Sequence, residues 1–311
     1  MSKRIVIGTR GSALALWQAE YVQRELKRHH KGLRVELNII KTKGDKILDQ
    51  SLSKIGDKGL FTREIENALL DGSADIAVHS LKDLPTETPS GLRIAAITER
   101  ETVNDALIST KWNSIAGLPE GAVIATGSLR RTAQLLHLRP DLRIIDIRGN
   151  LNTRMQKFDA SDWDGMLLAY AGVKRLGWEH RIAQIIPTTL LLPAVGQGAL
   201  GLEIREDDDK TARLISCLHH AETAAATTAE RSLLRALEGG CQIPIGAFAR
   251  LERGRLLLDA MVASIDGTVR LDTRGSTGDQ AKAQALGTRV ADKLLANGAR
   301  EILHAIRGGQ S

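Results

Sequence analysis

Short β-branched apolar runs alternate with helical periodicity through the first two thirds of the chain, and this alternation restarts after about residue 100. The runs with a strand pattern are Arg4–Gly8, Val35–Ile40, Asp75–His79, Val123–Thr126, Leu142–Ile147 and Gly165–Ala169. Helical periodicity covers Ala13–His29 and Glu64–Leu70, and further helices are predicted from Ser128 and from Asn150. Such alternation is typical of mostly parallel sheets with helices on both faces. Two tandem units of this kind predict two α/β lobes that face a cleft.

The last third of the chain has a different pattern. A long helix fits Ala221–Leu237, and a closing helix over Asp279–Leu295 is ended by Asn297–Gly298. Between these helices the runs with a strand pattern are Ile245–Arg250, Leu256–Ala263 and Val269–Arg274, the last two joined by a hairpin turn at Asp266–Gly267. These elements predict a small α+β domain with an antiparallel three-stranded sheet.

Composition narrows the class of protein. The 311 residues are 42% hydrophobic and 26% charged, which excludes a disordered, collagen-like or disulfide-stapled chain. Nothing in the sequence reaches the run of about 18 apolar residues that predicts a membrane-spanning helix. The opening MSKRIVIGTRGS turns polar too early for a signal peptide. Two cysteines in a chain this long indicate a reducing compartment, so we expect a soluble cytoplasmic protein.

The net charge of +6 has two interpretations. It is explained by solubility alone, or by an acidic ligand such as a nucleic acid or a small polyanion. Aromatic residues make up only 3% of the chain, which leaves few rings to stack on bases, and no zinc-finger spacing or lysine-arginine tract occurs. A small polyanion is therefore the favoured acidic ligand.

Cations and hydroxyls recur where a predicted strand ends and a helix begins. The residues at these junctions are Arg10 and Ser12; Ser128, Arg130 and Arg131; Arg148, Asn150 and Arg154; and Lys174 and Arg175. Ligands of open α/β sheets bind beyond the carboxyl ends of the strands, where helix N-termini attract anions and arginine binds carboxylates with two hydrogen bonds. Taken singly, each cation is also explained as a solvated charge or a salt-bridge partner. Together they predict a site that holds several carboxylates or phosphates.

The segment HSLKDLP places His79, Ser80, Lys82 and Asp83 in one predicted loop before Pro85. A carboxylate beside a cation is favoured in its charged form, and it would hydrogen-bond an ammonium leaving group and balance a cationic intermediate. The alternative is an ordinary polar turn that ends at the proline.

The two cysteines differ in setting. Cys241 lies in the glycine-rich EGGCQIPIG, residues 238–246, where an exposed thiol is available as a nucleophile, although a plain loop thiol is the alternative. Cys217 lies in an apolar helical pattern with Leu214, Ile215 and Leu218, which predicts a core residue. The G-x-G-x-x-G match at 196–201 precedes a strand rather than following one, so it is not a dinucleotide site, and no metal site is predicted.

Taken together, the motifs resemble those of the porphobilinogen deaminase family (hydroxymethylbilane synthases) almost end to end. The matching segments are GTRGSALALWQ (8–18), KTKGD (41–45), KGLF (58–61), HSLKDLP (79–85), GSLRR (127–131), RGNLNTR (148–154), LPAVGQGAL (192–200) and EGGCQIPIG (238–246). The resemblance implies an enzyme of tetrapyrrole biosynthesis that joins four porphobilinogen molecules head to tail with loss of ammonia and releases hydroxymethylbilane. It also implies a dipyrromethane cofactor on a cysteine, no nucleic-acid or membrane partner, and a monomer.

The resemblance assigns roles to individual residues. It makes Cys241 the attachment point of the dipyrromethane and Asp83 the catalytic carboxylate, which assists departure of the amine and stabilises the azafulvene intermediate. The residues that it implies for cofactor and substrate binding are Arg10, Ser12, Lys82, Thr126, Ser128, Arg130, Arg131, Arg148, Arg154, Arg175 and Gln197. The resemblance also implies that Lys54, Lys58 and Phe61 belong to a mobile lid.

The family fold has two lobes like those of anion-binding periplasmic receptors, plus a third domain. It implies domains at 1–98 with 199–216, at 104–192 and at 221–311, the chain crossing near 98–104 and returning near 192–200. The same fold would suit a binding protein for a polyanion, because fold alone does not separate enzyme from binder. Cys241 and Asp83 do separate them, since a binder needs neither.

Overall fold

The computed structural model describes residues 4–42, 44, 62–238 and 243–308. The chain divides into two compact units. Of the described residues, unit 1 comprises those up to Glu101 together with Gly198–Ala224, and unit 2 comprises Thr102–Gln197 and those from Ala225 onward. The finer division into three domains stays a prediction.

The described strands are β1 Arg4–Thr9, β2 Arg34–Ile39, β3 Ile76–Ser80, β4 Leu92–Ile97, β5 Asp105–Ile108, β6 Val123–Ala125, β7 Arg143–Ile145, β8 Gly165–Ala169, β9 Ile182–Ile185, β10 Leu200–Arg205, β11 Ile245–Glu252, β12 Arg255–Ala263 and β13 Arg270–Thr277. The described α-helices are α1 Ala13–His29, α2 Arg63–Leu70, α3 Leu129–Leu138, α4 Leu151–Asp159, α5 Tyr170–Arg175, α6 Asp209–Ile215, α7 Ala221–Ala236, α8 Ala283–Leu294 and α9 Arg300–Gly308. Short 3₁₀ turns occur at Leu81–Asp83, Glu179–Arg181, Ser216–Leu218 and Gln280–Lys282.

Unit 1 is built on a five-stranded sheet in the order β2-β1-β3-β10-β4. β1 pairs in parallel with β2 and β3, whereas β10 runs antiparallel to both of its neighbours. The core of the unit joins the apolar side chains of these strands to one face of α1, including Ile7, Val22 and Leu202. Burial of such side chains contributes about 1.5–3 kcal/mol each.

Unit 2 contains a second five-stranded sheet in the order β7-β6-β8-β5-β9. Here β6 is parallel to β7 and β8, and β5 is antiparallel to β8 and β9. The prediction of two α/β lobes is confirmed. The prediction of mostly parallel sheets is confirmed, since four of the five strands in each sheet run in the same direction. The exception in each sheet, β10 or β5, is an antiparallel strand inserted between two strands that are distant from it in sequence.

The C-terminal domain of unit 2 has the predicted three-stranded antiparallel sheet, in the order β11-β12-β13. α7, α8 and α9 supply apolar residues to its core, among them Leu233, Leu286 and Leu303. The predicted helix break at Asn297–Gly298 is confirmed, because Gly298 has a φ of 104° and the helix is kinked there. The prediction that this helix closes the chain is wrong, since α9 follows the kink. α9 is stabilised because Leu303 and Ile306 pack into the hydrophobic core of this domain.

Candidate functional site

The carboxyl ends of β1 and β3 lie at the same edge of the unit 1 sheet, because the two strands are parallel neighbours. Arg10 and Ser12 follow β1, and Lys82 and Asp83 follow β3. Ser12 caps α1 by accepting a hydrogen bond from the Ala15 backbone N–H, as its place before the apolar helical run predicts. Gln18 Nε2 of the same helix donates to Ser80 Oγ at 2.8 Å, which ties the start of α1 to the end of β3.

In the 3₁₀ turn Leu81–Asp83, buried leucines hold the backbone in place and the polar side chains are more accessible to solvent. Leu81 and Leu84 are buried, and the Leu81 backbone N–H donates to the Ala199 carbonyl at 3.0 Å. Lys82 is half-buried, whereas Asp83 is exposed. The turn therefore holds an accessible carboxylate in a defined place, as a catalytic role would require.

His79 belongs to β3 rather than to a loop, which corrects the expectation from HSLKDLP. It is buried, and its Nε2 lies 3.1 Å from Glu203 Oε2 on β10, so the end of the strand is occupied by an internal hydrogen-bonded pair. Glu66 of α2 is also buried close to this pair. Burial raises the pKa of Glu66, and the charge of Glu203 acts in the same direction.

Glu66→Gln is expected to stabilise the protein at neutral pH. A raised acid pKa means that the folded chain keeps the Glu66 proton more tightly than the unfolded chain, so the ionised group costs stability once the pH rises through the folded pKa. The amide carries no charge, and we expect a melting temperature about 2 °C higher at pH 8, the shift typical of about 1 kcal/mol in a large chain. Thermal melts at pH 8 and pH 4 check this, and a gain that persists undiminished at pH 4 would contradict it.

In unit 2, β6 runs into α3 through Thr126, Gly127 and Ser128. Thr126 is buried, and its Oγ1 accepts a hydrogen bond from the Ser128 backbone N–H at 3.3 Å. A Cβ on Gly127 would lie 2.6 Å from the Ile147 carbonyl oxygen, so only glycine allows this close approach of the chain. The junction thus brings the ends of β6 and β7 together, as the strand order predicts.

Arg130 and Arg131 in the first turn of α3 are both buried, each with 5% of its surface exposed. They share one carboxylate: Arg131 Nη2 lies 2.7 Å from Asp105 Oδ1, and Arg130 Nη1 lies 2.8 Å from Asp105 Oδ2. Burial disfavours the charged form of Asp105, but the two guanidinium charges outweigh it and hold the pKa of Asp105 well below its usual range. One of the two positive charges is thus balanced by a carboxylate of the protein itself.

Gln197 is buried and completes this cluster. Its Nε2 donates to Asp105 Oδ1 at 2.9 Å and to the Val103 carbonyl at 2.6 Å. Sequence reasoning missed Asp105, because the strand that it begins is too short to show a pattern. Two successive arginines at a helix start were the signal that a buried acid should be sought.

The other predicted cations occupy two kinds of position. Arg148 follows β7 and its Nε donates to Asp146 Oδ2 at 3.1 Å, while Arg154 Nε donates to the Gly149 carbonyl at 2.9 Å in the first turn of α4. Asn150 caps α4, as predicted. Lys174 and Arg175, by contrast, lie in the last turn of α5, where the helix dipole favours cations without any ligand.

Cys217 is exposed, which contradicts the prediction of a core residue. α6 ends at Ile215, and the tighter 3₁₀ turn that follows rotates the Cys217 side chain away from the apolar face. Its Sγ donates to the Leu214 carbonyl at 3.4 Å and lies 3.6 Å from His30 Nε2. The partial burial of the sulfur raises the pKa of the Cys217 thiol.

Four predicted residues lie outside the described ones: Cys241, Lys54, Lys58 and Phe61. Over the described residues, no group of three or more histidine, cysteine, aspartate or glutamate side chains is placed to hold a metal ion. Within the same ranges, every helix is too short or too polar to cross a membrane.

Two family models match the chain. Residues 5–213 match the porphobilinogen deaminase, dipyromethane cofactor binding domain, and residues 224–296 match the porphobilinogen deaminase C-terminal domain. Porphobilinogen deaminase of Chloroherpeton thalassium is 56% identical over 310 residues, which cover 99% of each chain. The enzyme of Desulforamulus reducens is 51% identical over 310 residues, with 100% of both chains covered.

Among solved structures, the periplasmic aliphatic sulphonate binding protein SsuA from Escherichia coli is similar at a TM-score of 0.40 and 12% identity, over 76% of each chain. The family models and the full-length relatives, in contrast, extend through both sheets and the C-terminal domain. The chain belongs to the porphobilinogen deaminase family.

Proposed function

We propose that this chain condenses four porphobilinogen molecules head to tail, with one ammonia lost at each step, and then releases hydroxymethylbilane by hydrolysis. The observation that carries the proposal is the match of both family models, one of them to the dipyromethane cofactor binding domain, along nearly the whole chain. The condensation would start from a dipyrromethane primer joined to Cys241 through a thioether. A tethered primer makes each coupling intramolecular once substrate is seated.

The described residues suit a primer of this chemistry. Dipyrromethane carries acetate and propionate groups, and the Nε groups of Arg130 and Arg131 are buried donors without an acceptor in the described part of the chain. Arg130 and Arg131 would therefore hold a carboxylate there, and Arg10, Arg148, Arg154 and Arg175 would hold others. Ser12, Lys82, Thr126, Ser128 and Gln197 would add hydrogen bonds. When bound, the primer supplies the free pyrrole carbon to which each new unit is joined.

We assign the acid–base work to Asp83. Its carboxylate is exposed at the end of β3, beside Lys82, on a turn that buried leucines hold in place. There it would hydrogen-bond the ammonium of the incoming porphobilinogen, assist departure of ammonia and balance the positive charge that develops on the pyrrole nitrogen. Lys82 would bind a substrate carboxylate, which keeps the reacting carbon near Asp83.

Other parts of the proposal rest on the family resemblance alone. Lys54, Lys58 and Phe61 would cover the bound chain as a lid, and the domains at 1–98 with 199–216, 104–192 and 221–311 would move relative to one another as the product grows. A monomer that works in the cytoplasm is expected.

The test is a balance of substrate and products. The purified protein is mixed with porphobilinogen, and porphobilinogen, ammonia and bilane are measured over time. The proposal predicts four porphobilinogen consumed and four ammonia released for each hydroxymethylbilane. Binding of porphobilinogen without ammonia release would favour the alternative, a polyanion-binding protein. A steeply salt-dependent affinity for DNA or RNA would favour a nucleic-acid-binding protein instead.

A further inference from the structure

Asp105 is the central group of a buried cluster that family resemblance did not assign. Asp105 is fully buried, and its Oδ1 accepts from Arg131 Nη2 at 2.7 Å and from Gln197 Nε2 at 2.9 Å. Arg130 Nη1 lies against Oδ2 and also donates to the Leu192 carbonyl at 2.6 Å. A single carboxylate thus contacts both arginines and the glutamine, which are three of the predicted binding residues.

The cluster has one positive charge more than it has negative charge. Asp105 supplies one negative charge, and Arg130 and Arg131 supply two positive charges. Burial lowers the pKa of Arg130, the charge of Asp105 raises it, and the charge of Arg131 lowers it. An uncompensated buried charge is strongly destabilising, and a second anion would offset it.

The hydrogen bonds also define which donors are left for such an anion. Both terminal nitrogens of the Arg131 guanidinium donate hydrogen bonds. Nη2 donates to Asp105 Oδ1, and Nη1 donates to the Leu167 carbonyl at 3.0 Å. The Nε of Arg131 and that of Arg130 are buried without an acceptor among the described residues. Asp105 therefore sets the rotation of each guanidinium and, with it, the direction of the unused N–H groups.

We propose that Asp105 is a positioning residue, which orients Arg130 and Arg131 and limits the pair to one net positive charge, so that the pair takes one carboxylate of a pyrrole acid. This inference rests on the proposed function, because the carboxylate is that of the primer or of porphobilinogen. Asp105 itself touches neither. Its effect passes through the arginines, and removing it should weaken binding more than it slows the chemical step.

Asp105→Asn keeps the shape of the side chain and removes its charge. On the fraction of protein that carries the primer, we expect the KM for porphobilinogen to rise by about 10-fold to 100-fold with a smaller change in kcat, the range expected when a charge-assisted contact is lost. The intact denatured mass gives a second readout that does not depend on turnover. It should show a smaller primer-bearing fraction than in the wild-type chain.

A double-mutant cycle with Arg131→Gln separates positioning from general damage. If Asp105 acts through both arginines, Asp105→Asn should raise the KM by a smaller factor when Arg131 is already glutamine than in the wild-type chain, because only the contact with Arg130 is left to lose. Equal effects of Asp105→Asn in the two backgrounds would overturn the proposal, as would a wild-type KM in the single variant.

A second comparison keeps the test decisive if Asp105→Asn alone does not fold. Arg130→Met with Asp105→Asn has the same net charge in the cluster as the wild type but lacks the Asp105–Arg131 contact. We expect this double variant to fold and to show a higher KM than Arg130→Met alone. An equal or lower KM in the double variant would mean that the Asp105–Arg131 contact does not position Arg131, and would overturn the proposal.

Asp164→Asn is the matched control. Asp164 Oδ1 and Oδ2 accept hydrogen bonds from Trp112 Nε1 and the Val123 backbone N–H in the same unit, both at 2.9 Å, and it contacts neither arginine. Asp164→Asn should lower the melting temperature with no change in KM, and a KM rise equal to that of Asp105→Asn would overturn the positioning role. If the wild-type chain releases no ammonia from porphobilinogen, the proposed function fails first, and the role of Asp105 fails with it.

Discussion

Cys241→Ser is expected to leave the purified chain with the bare mass of its polypeptide, whereas the wild-type chain should be heavier by two linked pyrrole units. A thiol forms a thioether because its thiolate is accessible near neutral pH, and a serine hydroxyl has no comparable anion. Without the tether, the variant has no primer to extend, so porphobilinogen consumption should also be lost. Intact mass spectrometry of the denatured proteins measures the difference directly.

Cys217→Ser is the matched control for this experiment. Cys217 is exposed like a reactive thiol, but the raised pKa of its thiol disfavours the thiolate. We expect Cys217→Ser to keep the full primer mass. The attachment assignment is wrong if the extra mass survives in Cys241→Ser, or if it disappears from Cys217→Ser while the protein stays folded.

Asp83→Asn is expected to lower kcat by about 10²–10⁴-fold, the contribution typical of a positioned acid–base group. The neutral amide lacks the negative charge that would hold the ammonium group before ammonia leaves and balance the positive pyrrole nitrogen that forms. The fold should be unchanged, because Asp83 is exposed and the turn is held by Leu81 and Leu84. Steady-state rates with porphobilinogen, together with circular dichroism and a thermal melt, test both parts.

Glu87→Gln removes an exposed carboxylate four residues further along the chain and serves as the comparison. It should retain a kcat close to that of the wild type. Normal turnover by Asp83→Asn, or an equal loss in Glu87→Gln, would remove Asp83 from the chemical step.

The elements with local signals were predictable from the sequence. The helix predicted at Ala13–His29 and the strand predicted at Gly165–Ala169 have those bounds in the structure. Both are long or strongly apolar, and Ser12 provides a cap whose partner is only three residues away. Asn150 is a second cap of this kind, with its partner at Thr153. Such signals need no knowledge of the rest of the fold.

Features that depend on distant partners were not predictable in this way. β5 has only four residues, and both of its neighbours follow it by more than fifty residues. For the same reason, the sequence assigned Arg130 and Arg131 to a ligand, since their partner Asp105 is 25 and 26 residues earlier, on that strand. Lys174 and Arg175 were placed at a helix start because the shortness of α5 has no signal in the sequence.

The strand order has a consequence for how the chain can fold as it is made. β3 and β4 are complete by Ile97, but β10, which lies between them, begins at Leu200. The sheet of unit 1 therefore stays open during synthesis of more than a hundred residues, whereas the five strands of the second sheet all lie within 105–185. Contacts between distant segments form slowly, because closing a long loop costs conformational entropy. We expect the second sheet to form first, with the N-terminal strands completed last.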